Sequence, residues 1–148
     1  MGVEYIILAA VACIAFSLTV FGFLSLFLYI VEQTSRIPII SMDLSVYKER
    51  NIVLIAVIVK HKGGEVTTLR YLIITTDKGI IEIDLEDKLN NLEDIVIEFT
   101  GFKDGKTLLP GSTARIILRI PINYFYSSGE YHCTIVFDKT SVTSSFNL

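Results

Sequence analysis

Residues Tyr5 to Val31 form an unbroken run of 27 without a charged side chain. As an α-helix, at ~1.5 Å per residue, the run extends roughly 40 Å, against a bilayer hydrocarbon core of about 30 Å. It can cross with length to spare. A core helix of a soluble protein keeps a polar face, whereas Ile, Leu, Val, Ala and Phe occupy every face here. The run therefore predicts a membrane-spanning helix or the helix of a filament core.

A cleavable secretory signal needs a basic leading segment, a shorter apolar stretch and a small-residue cleavage site. Met1-Gly2-Val3-Glu4 supplies no basic side chain, and Ala10-Val11-Ala12 falls too early to follow a full apolar stretch. Retention of the helix is expected. Myristoylation is not, because Ile6 stands where Ser or Thr is required. Arg36 is the one cation close to either end of the run. Taken alone, it would hold the carboxyl-terminal domain in the cytoplasm.

Glu4 is the single acid at the amino end of this helix. It can be a solvated carboxylate complementing the helix N-terminus, worth about 0.3–1 kcal/mol. Alternatively it is an assembly residue, paired with a neighbour's amino terminus when such helices bundle, since an ionisable group in apolar surroundings must be paired.

Past the helix the chain is long enough for one domain with a genuine core and too short for two. The expected organisation is an anchoring helix and exit over residues 1–36 and a single domain over residues 37–148. The net charge is −3 and no Lys/Arg cluster is interleaved with aromatics, so nucleic acid is not an expected partner. Membrane lipid is. Cys13 lies in the apolar run and Cys133 deep in the strand-rich half, with no CxxC motif and no disulfide framework. Cys133 reads as a small buried hydrophobe.

Pro38 should end any helix there. Beyond it, short β-branched runs predict strands at Ile39–Tyr47, Ile52–Lys60, Val66–Thr76, Ile80–Leu85, Ile95–Phe99, Ala114–Ile120, Glu130–Phe137 and Val142–Phe146. Lys62-Gly63-Gly64, Asp77-Lys78-Gly79 and Ser127-Ser128-Gly129 supply turns that tolerate positive φ. Asp104-Gly105-Lys106 and Pro110-Gly111 bound a longer loop, and Glu86 to Asp94 suggests a turn of helix. Seven or eight strands at this spacing predict an all-β fold, an immunoglobulin-like antiparallel β-sandwich behind one long hydrophobic helix. Tyr131 stands two residues before Cys133, just after a turn, like the tyrosine corner opening strand F of such sandwiches; it is expected to be structural. The chain has no Trp and no partner cysteine for Cys133 in that arrangement, so antibody-type homology does not follow.

Alternation fails in two places. Ile52 to Val59 is apolar on both faces, and in Leu69 to Ile74 neither face is cleanly polar, with Leu69, Tyr71 and Ile73 opposing Arg70, Leu72 and Ile74. A sandwich strand turns one face to solvent unless something covers it. Either the domain's own loops or the Glu86–Asp94 segment covers these strands, or Val53, Ile55, Val57, Leu72, Ile74 and Ile117 form a self-association face.

Catalytic chemistry is not legible. His61 and His132 lack the spacing of a metal pair, and Glu82, Asp84, Glu86 and Asp87 do not match a calcium loop. No GxSxG, P-loop or HExxH occurs. No enzyme activity, cofactor or metal is expected.

A very hydrophobic amino-terminal helix with a lone early Glu, running directly into an all-β domain, resembles the archaeal type IV pilin-like proteins. Within that group it is most similar to the archaellum (archaeal flagellum) stator subunits of the FlaG and FlaF type. Pilins and archaellins carry a charged leader ending in Gly, for which Met1-Gly2 leaves no room; that departure favours the stator type. The resemblance implies a domain outside the cytoplasmic membrane, in the pseudo-periplasm, giving a rotating filament's motor something fixed to push against. Its implied partners are further copies of itself, a second stator subunit and the S-layer protein. Two alternatives follow from the same residues: a pilin-like filament subunit assembled through Glu4, and a tethered binding module with a loop-borne site within Gly101–Pro110.

Overall fold

The computed structural model describes residues 2–85, 94–125 and 129–148. The chain divides into two units, Met1–Arg36 and Ile37–Leu148.

The first unit is a single helix, α1, Gly2–Arg36, and no described residue in it is buried. It is long and apolar enough to cross a membrane. Ser17 and Thr19 could have weakened an apolar helix. Their hydroxyls instead donate to the Cys13 and Ala15 carbonyls, each at 2.8 Å, which satisfies them without water. Glu4 lies in the first turn and Arg36 in the last, each complementing the helix dipole, and Arg36 also pairs with Glu32. The helix stops two residues before Pro38, whose ring disfavours helical geometry at the residue before it.

The second unit is built of strands: β1 (Ile39–Lys48), β2 (Ile52–Gly63), β3 (Thr67–Thr76), β4 (Gly79–Asp84), β5 (Val96–Thr100), β6 (Thr107–Leu108), β7 (Thr113–Pro121), β8 (Glu130–Phe137) and β9 (Ser141–Asn147), with a 3-10 turn at Ile122–Tyr124. They form two antiparallel sheets, ordered β1-β2-β7-β5 and β4-β3-β8-β9, with β6 pairing against the start of β3. Lettered in chain order, with β4 as C′ and β6 left out, the sheets read A-B-E-D and C′-C-F-G. That is the immunoglobulin arrangement. Each predicted strand is present with its ends shifted by at most three residues. The short β6 lies inside the segment read as a loop. The predicted turn of helix over Glu86–Asp94 lies outside the described residues apart from Asp94.

The core sits between the sheets. Val53, Ile55, Val57 and Val59 of β2 and Ile116, Leu118 and Ile120 of β7 meet Leu69, Leu72 and Ile74 of β3 and Cys133 and Ile135 of β8, all fully buried. β-branched side chains are stiff and fit a pleated, close-packed surface at little entropic cost. Cys133 is a buried hydrophobe, and burial pushes its thiol up to about 12.

One irregularity sets the packing of β3. The register against β8 shifts between Leu69 and Tyr71, a bulge that lets one extra residue pass. Leu69 and Leu72, three apart, therefore both face the core, while Arg70 is exposed.

Candidate anchor and assembly surfaces

The buried set contradicts part of the predicted contact face. Val53, Ile55, Val57, Leu72 and Ile74 are fully buried in the domain's own core, so they are not a self-association surface. β2 is aliphatic on both faces, and its outward parity is the other one. Ile117 lies on the outer side and is half-buried.

The outward residues of the first sheet line up across four strands. Tyr47 pairs with Leu54, Leu54 with Arg119, and Arg119 with Val96. The next outward row is Ser45, Ala56, Ile117 and Glu98, and the one after it Asp43, Ile58, Arg115 and Thr100. Leu54, Ala56, Ile58 and Ile117 thus form a continuous aliphatic stripe, with Tyr47 60%, Val96 49% and Ile52 38% exposed at its borders. Charges frame it: Arg119 bonds Glu98 at 3.0 Å and Lys60 bonds Asp43 at 3.2 Å. Exposed pairs of this kind contribute little to stability, about 1 kcal/mol at most. An apolar centre with a charged rim is the anatomy of a protein interface.

The outer face of the second sheet differs. Tyr71, Ile73 and Val136 are half-buried there, but Glu82, Asp84, Ser141, Thr143 and Ser145 surround them, and the Thr134 and Thr143 hydroxyls bond each other at 2.8 Å. Polar groups interrupt any aliphatic stripe.

Tyr131 opens β8 as expected and is 3% exposed. Its ring stacks edge-on to Phe125 at 5.1 Å and lies 5.6 Å from Phe146. Its hydroxyl donates to Asp77 Oδ2 at 2.6 Å, tying the β3–β4 turn to β8 across 54 residues. Next to Asp77, the Lys78 ammonium stands 5.1 Å from the centre of the Tyr124 ring. Ser127 and Ser128, which precede this tyrosine in the predicted corner, lie outside the described residues.

A second tie closes the opposite end. The Asp138 carboxylate accepts from the Thr67 hydroxyl at 2.6 Å and the Thr68 N–H at 3.0 Å, joining the β8–β9 turn to β3. Burial pulls this carboxyl upward, but the Thr67 and Thr68 bonds and the nearby Lys139 and Arg70 charges outweigh it and hold it below its ordinary value. Lys139 is raised, chiefly by its hydrogen bond to Glu65 at 2.6 Å.

His61 is buried at this same end, with Nε2 2.8 Å from the Glu65 carbonyl and Nδ1 without a hydrogen-bond partner among the described residues. His132 is exposed on the opposite face of β8 from Cys133. Among the described residues no three His, Cys, Asp or Glu side chains converge as metal ligands. Gly101–Pro110, the predicted loop site, is pinned rather than loose. Lys103 and Thr107 exchange backbone hydrogen bonds around Asp104 and Gly105, both at positive φ, and Leu108 is fully buried.

No protein-family model matches this chain, and no curated protein does.

Proposed function

We propose that this chain is a membrane-anchored structural protein that self-assembles laterally through the outer face of its first sheet, serving as a stator component of the archaellum motor. The observation that carries the assembly reading is the stripe Leu54–Ala56–Ile58–Ile117, continuous across β2 and β7 and framed by ion pairs. A second copy covering it would remove aliphatic surface from water at ~25 cal/mol per Å². The helix supplies the root, the immunoglobulin-like sandwich a stiff body, and the stripe the lateral contact. The motor role, the placement of the domain outside the cytoplasmic membrane, and contacts with a second stator subunit or the S-layer protein rest on the family resemblance.

Two measurements test this. Full-length protein in detergent should run as dimers or larger species by light scattering, and Ile58→Lys or Ile117→Lys should reduce it to monomers with unchanged circular dichroism. A monomer in the unsubstituted protein overturns the assembly reading. In a swimming archaeal host, loss of the chain should stop swimming and Ile117→Lys should reproduce the loss. Cells that swim normally without it overturn the motor assignment.

Glu4, exposed in the first turn of α1, favours the filament-subunit reading to the extent that it pairs across subunits. Glu4→Gln separates the two readings. It should block assembly of a pilin-like filament and leave a stator's oligomers intact.

A further inference from the structure

At the end of the sandwich where the chain enters, four large apolar residues face outward: Ile37 is 55% exposed, Ile39 59%, Val66 42% and Leu109 39%. They belong to one rim. Ile39 pairs with Gly63, and Thr67 pairs with Leu108, which in antiparallel register sets Val66 beside Leu109. The β2–β3 turn is pressed onto the entering chain, because a Cβ on Gly64, at φ +91, would lie 2.2 Å from the Ile37 carbonyl oxygen. Gly111 N–H donates to the His61 carbonyl at 2.8 Å, and His61 N–H to the Ser112 carbonyl at 3.0 Å, which bind the loop after Leu109 to the end of β2.

Lysines lie near this apolar rim. Lys62 is exposed close to the end of β2, and Lys103 and Lys106 are exposed on the turn leading into β6, level with Thr68 and Leu69 and set back from the edge, with Asp104 the acid between them. Among the described residues, Lys139 pairs with Glu65 there, Lys60 with Asp43, and Asp138 with Thr67 and Thr68, with the Arg70 charge close to Asp138. Aliphatic side chains beside flexible ammonium groups suit the membrane interface. The former enter the boundary between headgroups and acyl chains, and the latter reach the phosphates. Connectivity favours the same partner. Three Cα steps separate Arg36, the last helical residue, from Ile39, the first of β1, a tether of at most about 11 Å.

We infer that this rim, with Ile37, Ile39, Val66 and Leu109 as its apolar part and Lys62, Lys103 and Lys106 as its cationic part, seats the domain on the anionic headgroups of the membrane that α1 crosses. The inference rests on reading α1 as a span. Seated there, the rim holds the domain at the bilayer surface. It also leaves the outer face of the first sheet open for lateral contacts.

The chain contains no tryptophan, so one introduced indole reports alone. Full-length Leu109→Trp is reconstituted in vesicles of phosphatidylcholine and phosphatidylglycerol, with Ile80→Trp as the control, since Ile80 is 70% exposed and follows the turn at the other end. Leu109→Trp should emit to the blue of the control and lose roughly half its emission when the phosphatidylcholine is brominated high on its acyl chains, as an indole at interfacial depth does. The control should lose little. Adding Lys62→Glu, Lys103→Glu and Lys106→Glu should restore most of the emission. Emission matching the control, with no quenching while alkaline carbonate leaves the protein in the vesicles, overturns the rim and leaves the span standing. Extraction by carbonate overturns the span and the rim together. Blue emission without bromine quenching assigns the rim to a second copy and overturns the lipid assignment. Unchanged quenching after charge reversal overturns the role of the lysines.

Discussion

On β2, Val53, Ile55, Val57 and Val59 are fully buried between the sheets, whereas Ile52, Leu54, Ala56 and Ile58, interleaved with them and equally aliphatic, face outward. Hydrophobicity does not separate these two sets. Pairing does: Ile58 lies between Asp43 and Arg115, and Leu54 between Tyr47 and Arg119, so the even positions share their side of the sheet with charges from both neighbours. An amphipathic neighbour therefore orients a strand that is not amphipathic itself. The surplus aliphatic residues then become available for contact with another molecule.

Substitutions that place the same charge on each face should break this symmetry most visibly. Val57→Lys buries an ammonium in the core and is expected to cost about 4 kcal/mol or more, enough to unfold the domain in a denaturant titration. Ile55→Ala, which leaves a cavity on the same face, should cost about 2–5 kcal/mol with the fold retained. Tyr131→Phe removes a hydrogen bond to a carboxylate from a buried ring and should cost about 1.5–3 kcal/mol, visible as a lower denaturation midpoint. Ile58→Lys lies on the outer face and should change stability by only about 0.5 kcal/mol. Its effect should be on oligomeric state, and a cost like that of Val57→Lys would show that the two faces are not distinct.

Asp138 gives a similarly small effect and a pH test. Its carboxyl is held below its ordinary value in the folded domain, so the stability it contributes is present above the usual carboxylate range and disappears as pH falls through the lowered folded value. The group is largely exposed, and solvent screening keeps this below about 1 kcal/mol. Asp138→Asn, which can still accept from Thr67 and Thr68, should flatten that acid-side slope in thermal melts between pH 5 and pH 2 (about the span over which a lowered Asp titrates).

Much of the fold is legible residue by residue. Gly63-Gly64, Asp77-Lys78-Gly79 and the β-branched runs mark most strand boundaries, because turn chemistry and χ1 stiffness are local properties. The orientation of β2 had a signal too. Lys60 belongs to the even set and His61 to the odd one, so the long charged side chain marks the outward parity. On β3 the same logic misleads, since Arg70 shares parity with Leu72 and Ile74 but a bulge at that residue turns them to opposite sides. The rim of Ile37, Ile39, Val66 and Leu109 joins three separate segments, and no local pattern brings them together.

The sequence by itself determined a helix whose uncharged run is long enough to cross a membrane, and the strand-rich domain that follows it. Both are consequences of composition and short-range periodicity. Only the tertiary structure decided which aliphatic face of β2 is core, that Tyr131 reaches Asp77, and that Ile37, Ile39, Val66 and Leu109 gather where the chain enters. Those outcomes depend on strand register across dozens of residues. A one-residue shift in pairing exchanges the two faces of a strand without altering its composition.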